Sequence, residues 1–292
     1  MGMRTRWLAL LTVAIWGGDV ASGAAQETAT ADLVDRSALR VCADPNNLPF
    51  SNQAGEGFEN KVAELLAEDL AVPVTYAYHP DTMGFIRNTL NAGHCDIVMG
   101  VGSANELLQN TNPYYTSTYA LVYPADAGLS IESLDDPALE DLTIGAVART
   151  PPVTVLAKRG LLDNMKWYHL MVDTRHYSPT RDLVEDVASG KLDVGVLWGP
   201  IAGYWASRQE VPLEVVPLPA KVDGVPMSFR ISMGVRHGEH DWKRQLNALI
   251  AEHQDEINEI LHEYGVPLLD RQGRVIGGAE PAPAGESRDA AG

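Results

Sequence analysis

Positive charge is scarce in this chain: 22 lysines and arginines stand against 39 aspartates and glutamates, a formal net charge of −17. Such a field repels nucleic acid and anionic membranes and favours a cationic ligand or a basic partner, although an acidic surface also simply confers solubility. Cysteine is scarcer still, with only Cys42 and Cys95, and no C-x-x-C motif. No G-x-S-x-G, H-E-x-x-H, P-loop or G-x-G-x-x-G occurs either, which leaves no motif-borne nucleophile, zinc site or nucleotide cradle. His237 and His240, followed by Asp241, fall in a turn before the last helix and read as solvated surface. The pairs Asp135-Asp136 and Glu140-Asp141 lack the alternation of an EF-hand loop. No metal, cofactor or catalytic residue is nominated.

Long apolar runs are missing beyond the N-terminus, so no membrane span is expected. At the N-terminus, Arg4 and Arg6 precede an apolar run from Trp7 to Trp16, and small residues follow through Ala21, Gly23, Ala24 and Ala25. That is the order of a secretory signal over residues 1–25, too short to span a bilayer and without a cysteine to carry lipid. With Arg4, Arg6 and Asp19 removed, a net +1 is lost and the mature chain carries −18.

At 292 residues the chain holds one large or two modest domains, with an ordinary 45% apolar content. Leu39, Val41 and Cys42 start a strand that ends in the polar loop Asp44 to Ser51. Val62, Leu65, Leu66 and Leu70 then recur at helical spacing within Phe58 to Leu70. Strands are expected over Pro73–Tyr78, Cys95–Met99, Pro113–Tyr123, Leu142–Val147, Trp167–Val172, Asp193–Trp198, Leu213–Leu218 and Ser228–Val235. Helices are expected over Gly84–Ala92, Pro151–Leu162, Pro179–Ala188 and Trp242–Tyr264. Continuous apolarity in Cys95–Met99 marks a strand covered on both faces, hence a parallel α/β sheet. The stretches after Gly93 and Gly190 echo one another, each running Gly, two residues, Asp, apolar strand. That echo implies two lobes: 38–121 plus 229–270, and 122–228, with a disordered tail over 272–292.

In open parallel sheets ligands gather at the carboxyl ends of strands. The loops found there nominate Asp44, Asn46, Asn47, Phe50, Ser51 and Glu59, with Gly102 and Ser103, from one lobe. Arg149, Thr150, Trp198, Gly199 and Pro200 come from the other. These would face each other across a cleft, although Trp198 equally suits interdomain packing. Two cysteines in an exported chain suggest a disulfide, Cys42 to Cys95, worth roughly 4 kcal/mol in the chain-entropy model. Two buried thiols are the alternative if the two strands are adjacent and parallel.

The order of units from Leu39 to Leu269 resembles the type 2 periplasmic solute-binding proteins, an α/β, two-lobed fold with parallel-dominated mixed sheets and a two-strand hinge. Within that superfamily it is similar to the quinoprotein-dehydrogenase-associated binding proteins, the J proteins of methanol oxidation. The residues that carry this are LRVCADPNNLPFSN at 39–52, GEGFENKVAELLA at 55–67, CDIVMGV at 95–101, LDVGVLWGPIAGYWA at 192–206, ISMGVR at 231–236 and YGVPLL at 264–269. The resemblance implies a periplasmic accessory protein, not an enzyme, without a cofactor of its own. It would be associated with a PQQ-dependent methanol or alcohol dehydrogenase and its cytochrome c, aiding maturation or activation, in a setting where PQQ and lanthanide serve methanol oxidation.

Amino-acid-binding relatives grip the ligand with groups this chain lacks. No Lys or Arg occurs between Asp96 and Asn112, Pro151 and Pro152 occupy a helix start that would offer N–H donors, and Trp198-Gly199-Pro200 replace the acid that holds the amine. Ordinary amino-acid import is therefore disfavoured. An ABC-transporter receptor for another small solute is the alternative function. A dehydratase on the same scaffold would have to use Glu59 or Asp44.

Overall fold

In the computed structural model, which describes Met1 and residues 33–276, the chain first lays down β1 (Leu39–Ala43), α1 (Phe58–Asp69), β2 (Val74–Tyr78), α2 (Phe85–Asn88) and β3 (Ile97–Gly102). β1 pairs in parallel with both β2 and β3. Its side chains alternate between faces. Leu39, Val41 and Ala43 join Phe58, Val62 and Leu66 of α1 in one core, and Cys42 joins Phe85, Leu90 and Val98 on the opposite face. The expected signal segment and the chain beyond Ile276 lie outside the described residues.

The chain continues through β4 (Gln109–Pro124), β5 (Ile144–Val147), α3 (Pro151–Lys158), β6 (Met165–Tyr168), α4 (Pro179–Ala188), β7 (Val194–Trp198), α5 (Gly199–Ala206), β8 (Leu213–Pro217), β9 (Ser228–Val235), α6 (His240–Glu252) and α7 (Gln254–Glu263). The nine strands run β2-β1-β3-β9-β4-β7-β5-β6, with β8 also on β4. β4 changes partner along its length: up to Thr118 it pairs antiparallel with β9, and from Tyr119 with β7 and β8. Parallel pairs lie outside this central antiparallel ribbon, on both sides. In the second half, Val155 and Leu156 of α3 cover one face of β5 and β7, and Leu183, Val184 and Val187 of α4 cover the other. Among the described residues no helix is long and apolar enough to cross a membrane.

The internal echo has a structural counterpart. Asp96 N donates to Arg40 O at 2.7 Å and Asp193 N donates to Thr143 O at 3.0 Å. Each aspartate, just before one strand, is therefore tied to the start of that strand's parallel neighbour. Asp193 also accepts from Thr143 N and Oγ1 at 2.7 and 2.5 Å, and Asp96 from Arg40 Nε and Nη2 at 2.6 and 2.8 Å and from Arg236.

Several elements differ from expectation. The helix expected over Gly84–Ala92 shrinks to Phe85–Asn88, where Thr89 turns its hydroxyl onto Phe85 O at 2.7 Å. The helix beginning at Pro151 stops at Lys158, because Gly160 takes a left-handed φ of 75°. The strand expected over Trp167–Val172 forms instead at Met165–Tyr168, since its partner β5 ends at Val147, opposite Tyr168. The single long helix at the C-terminal end is two, bent at His253, which keeps Leu246 and Leu249 and then Ile257 and Leu261 on the same core. α5 was not anticipated: Pro200 sits in its first turn, where a missing N–H costs nothing. Within the expected tail, Val275–Ile276 pair with Leu268–Leu269.

Candidate functional site

The polar loop after β1 is strapped to the start of α1. Ser51 Oγ accepts from Asp44 N at 3.1 Å and donates to Asp44 O at 2.9 Å. Phe58 N donates to Pro49 O and Glu59 N to Phe50 O, at 2.8 and 2.9 Å. Gly57 allows this approach, because a Cβ there would overlap the Phe50 carbonyl. The strapping aims Glu59, in the first turn of α1, toward the gap between the halves.

That gap holds a cavity of about 200 Å3, whose lining includes Asp44, Asn47, Phe50, Ser51, Glu59, Gly102 and Trp198 of the expected residues. It also includes Gly100, at the start of the strand-end stretch Gly100 to Asn105 that the sequence points to, and Asp81, Phe85, Tyr115 and Ile231, which sequence reasoning did not nominate. Asp81 sits two residues past the His79 that follows β2, at the carboxyl end of a parallel strand beside β1, so the rule that found Asp44 applied to it as well. Tyr115 and Ile231 come from the antiparallel ribbon, for which the sequence offers no such rule.

Three carboxylates converge here, and among the described residues no Lys, Arg or His lines the cavity. They are not equivalent. Asp44 is buried and satisfied: it accepts from Asn46 N at 2.8 Å, Asp81 N at 2.6 Å and Thr174 Oγ1 at 2.6 Å. The Glu59 carboxylate accepts no hydrogen bond among the described residues and lies against Gly100, in space that a side chain there would fill. Burial pushes the Glu59 carboxyl up to about 8, with Asp81 and then Asp44 adding to it. Asp81, which keeps solvent contact at the mouth, is pushed up to about 6, by desolvation first, then Asp44, against the opposite pull of His79. These oxygens do not converge closely enough to hold a metal ion. Among the described residues the group that does is Asp69, Glu252 and His253, at the bend between α6 and α7.

The remaining expected residues lie elsewhere. Arg149 and Thr150 line a separate open groove with Val153, Val225, Pro226 and Phe229. Trp198 stands between the two depressions, its ring 5.3 Å from Tyr119 and 6.1 Å from Phe229, so it is both cavity wall and packing between the halves. Gly199 and Pro200 are buried in α5, where Gly199 lies against Thr118 O and Pro267. Ser103 bonds Arg230 O at 2.9 Å and Ser232 Oγ at 2.5 Å, outside the cavity lining. Asn46 reaches across the gap, donating from Nδ2 to Thr174 O at 2.8 Å. Pro151 and Pro152 do occupy the first turn of α3.

Cys42 and Cys95 form a disulfide, with Cα atoms 5.3 Å apart. β1 and β3 are adjacent and parallel, but β3 opens only at Ile97, and Cys42 is opposite Val98. Cys95 therefore lies in the turn before the strand, free of its register.

A family model described as bacterial extracellular solute-binding proteins, family 3, matches residues 39–267. Protein MoxJ of Methylorubrum extorquens is 30% identical over an alignment of 261 residues that covers 84% of this chain and 86% of that one. The crystal structure of periplasmic binding protein XoxJ from Methylobacterium extorquens AM1 superposes with a TM-score of 0.68 at 41% identity, over 80% of this chain and 99% of that chain. MxaJ from Methlophaga aminisulfidivorans MPT superposes with a TM-score of 0.69 at 29% identity, over 79% and 100% of the two chains.

Proposed function

Since the chain belongs to the bacterial extracellular solute-binding proteins, family 3, and has the mixed α/β fold of type 2 periplasmic binding proteins, we propose that it is a periplasmic accessory factor of a PQQ-dependent methanol or alcohol dehydrogenase. In this role it associates with the dehydrogenase, and with the cytochrome c that serves it, and aids maturation or activation without catalysing a reaction itself. The observation that carries the proposal is the similarity to MoxJ, XoxJ and MxaJ over four fifths of the chain. The cavity supports it from a second side. With no basic side chain among the described residues of the lining and prolines at the start of α3, the ligand carboxylate of an amino acid lacks its usual grips. The residues Asp44, Asn46, Asn47, Phe50, Ser51, Glu59 and Trp198, with Thr174 across the gap, form the proposed contact region.

The test is a pull-down of the mature protein against a periplasmic extract, read by mass spectrometry, with dehydrogenase activity compared in cells with and without the gene. Recovery of the dehydrogenase and a loss of its activity without the gene are expected; recovery of membrane permease components alone overturns the proposal. A second reading, a receptor for a small solute, is favoured by the half-open cavity that Trp198 walls from the second half. It would be upheld by a saturable stabilising solute in a thermal-shift screen.

A further inference from the structure

The lining of the cavity is one-sided in chemistry. Asp44 is consumed by its three donors, but Glu59 and Asp81 accept no hydrogen bond from any described residue. Around them stand the rings of Phe50, Tyr115 and Trp198. For Glu59, from which solvent is partly excluded, a carboxylate without a donor is costly, and it is relieved either by holding a proton or by the arrival of a cation. Aromatic faces attract the same kind of group through their quadrupoles. Gly100 is what gives the Glu59 carboxylate its place, since any Cβ at that position would displace it. At about 200 Å3 the space suits a body the size of one long side chain rather than a drug-sized ligand.

From this we propose that the cavity takes an organic cation that carries no carboxylate, an alkylammonium or guanidinium group, gripped by Glu59 and Asp81 and walled by Phe50, Tyr115 and Trp198. The inference builds on the reading of this cleft as the contact region, and it names what enters: a free amine, or the Lys or Arg side chain of a protein segment. The excess of acidic over basic residues draws such a group toward the molecule. The Glu59 carboxyl, held up to about 8 by burial, is largely protonated at neutral pH and gives up its proton when the cation docks. The ionisable groups around it are Asp44, Asp81, Tyr76, Tyr114 and Tyr115, and His79 stands behind Asp81. Of these the tyrosines are all shifted upward, away from neutral pH. Affinity therefore rises as pH rises through the range in which Glu59 and Asp81 ionise.

The test is calorimetric titration of the mature protein with n-butylammonium chloride, with N-acetyl-lysine N-methylamide and with uncharged n-butanol. The same preparation is assayed for capture of the dehydrogenase. Saturable binding of butylammonium is expected, tightening from pH 6 to pH 9, absent for butanol, and weakened at least about tenfold in Glu59→Gln and in Gly100→Ala. If the blocked lysine also binds, the source is a side chain; if butylammonium alone binds, it is a free amine. Silence of both cations, or equal binding by wild type and Glu59→Gln when far-UV circular dichroism shows both folded, overturns the inference. If the dehydrogenase is nevertheless captured, the association stands and only the cation site falls. If cations bind and the dehydrogenase is not captured, it is the association that falls.

Discussion

The carboxylate of Glu59 lies against the Cα of Gly100, in space that a Cβ on that residue would fill. Gly100 has an ordinary strand conformation, with no positive φ, and sits in β3. Alanine is thus allowed by the backbone, and the group in its way is the far end of a flexible side chain. Gly100→Ala should change stability by no more than about 1 kcal/mol in denaturant unfolding. An unfolding cost several times larger would mean that Glu59 cannot move aside and is part of the packing instead.

Glu59 also sets a pH dependence of stability. Its folded value of about 8 is above the ordinary 4.5, with desolvation the first cause and Asp81 and Asp44 adding to it. Between those two values the folded chain holds a proton that the unfolded chain has released, so this stabilisation is complete below about pH 4.5 and is lost as pH rises through 8. Glu59→Gln keeps the shape and removes the titration. Relative to wild type it should gain on the order of 2 kcal/mol between pH 5 and pH 9, a figure discounted for the solvent that reaches this residue. Parallel melting curves for the two proteins across that range would contradict the assignment.

Much of the fold was legible because it is written in local chemistry. Val62, Leu65 and Leu66 gave α1 by their spacing, and Ile97 to Met99 gave a doubly covered strand by unbroken apolarity. The Gly-x-x-Asp echo has a local counterpart, since Asp96 and Asp193 each tie a pair of parallel strands. What stayed hidden depends on long-range pairing. The end of β6 is decided by the length of β5, and Gly199-Pro200, nominated as cleft residues past the end of a strand, begin α5, with Gly199 fitted against Thr118 O and Pro267. The site divided along the same line. The loop after β1 and the first turn of α1 bring Asp44, Phe50, Ser51 and Glu59 to one cavity, whereas Arg149 and Thr150 line another groove and Tyr115 arrives from the ribbon.

The disulfide closes a loop between residues 53 apart, inside an apolar core where Cys42 and Cys95 are both buried. In the chain-entropy model that constraint is worth about 4 kcal/mol. The double change Cys42→Ser, Cys95→Ser should lower stability by roughly 2–5 kcal/mol, because two hydroxyls then replace an apolar bridge in that core. Chemical denaturation with and without reductant measures this: wild type in reductant should approach the double variant, and a variant as stable as oxidised wild type would remove the staple's role.

Asp96 is 1% exposed and pairs with Arg40 on one side and Arg236 on the other. Arg236 also donates to Cys95 O at 2.6 Å and Leu90 O at 3.1 Å, so the cluster holds the turn that carries the disulfide. Asp96→Ala would leave Arg40 without its carboxylate, and Arg236, only 12% exposed, with Glu239 as its remaining acidic partner. A loss of about 3–5 kcal/mol is expected, with hydrogen exchange quickening first around Leu90–Asp96. Asp193, whose partner Thr143 is neutral and whose bonds are exposed, should cost much less when replaced by alanine.

Thr174 is the point where the second half reaches the loop after β1. Its hydroxyl donates to Asp44 Oδ1 at 2.6 Å, and its carbonyl accepts from Asn46 Nδ2 at 2.8 Å. Thr174→Val removes the first bond and spares the second, leaving Asp44 its two backbone donors. A hydrogen bond to a charged group contributes roughly 1.5–3 kcal/mol, enough to move an open–closed equilibrium about tenfold or more. The variant should show a larger radius of gyration in small-angle scattering and faster exchange over Asp173–Tyr177, with little change in melting temperature, since neither half's core is touched. The competing control is the far side of the same junction, where Tyr204 of α5 stacks on Tyr264 at 5.8 Å and Gly203 lies against Gly265. If Tyr264→Ala opens the molecule and Thr174→Val does not, closure is set by that helix contact and Asp44 serves only to shape its own loop.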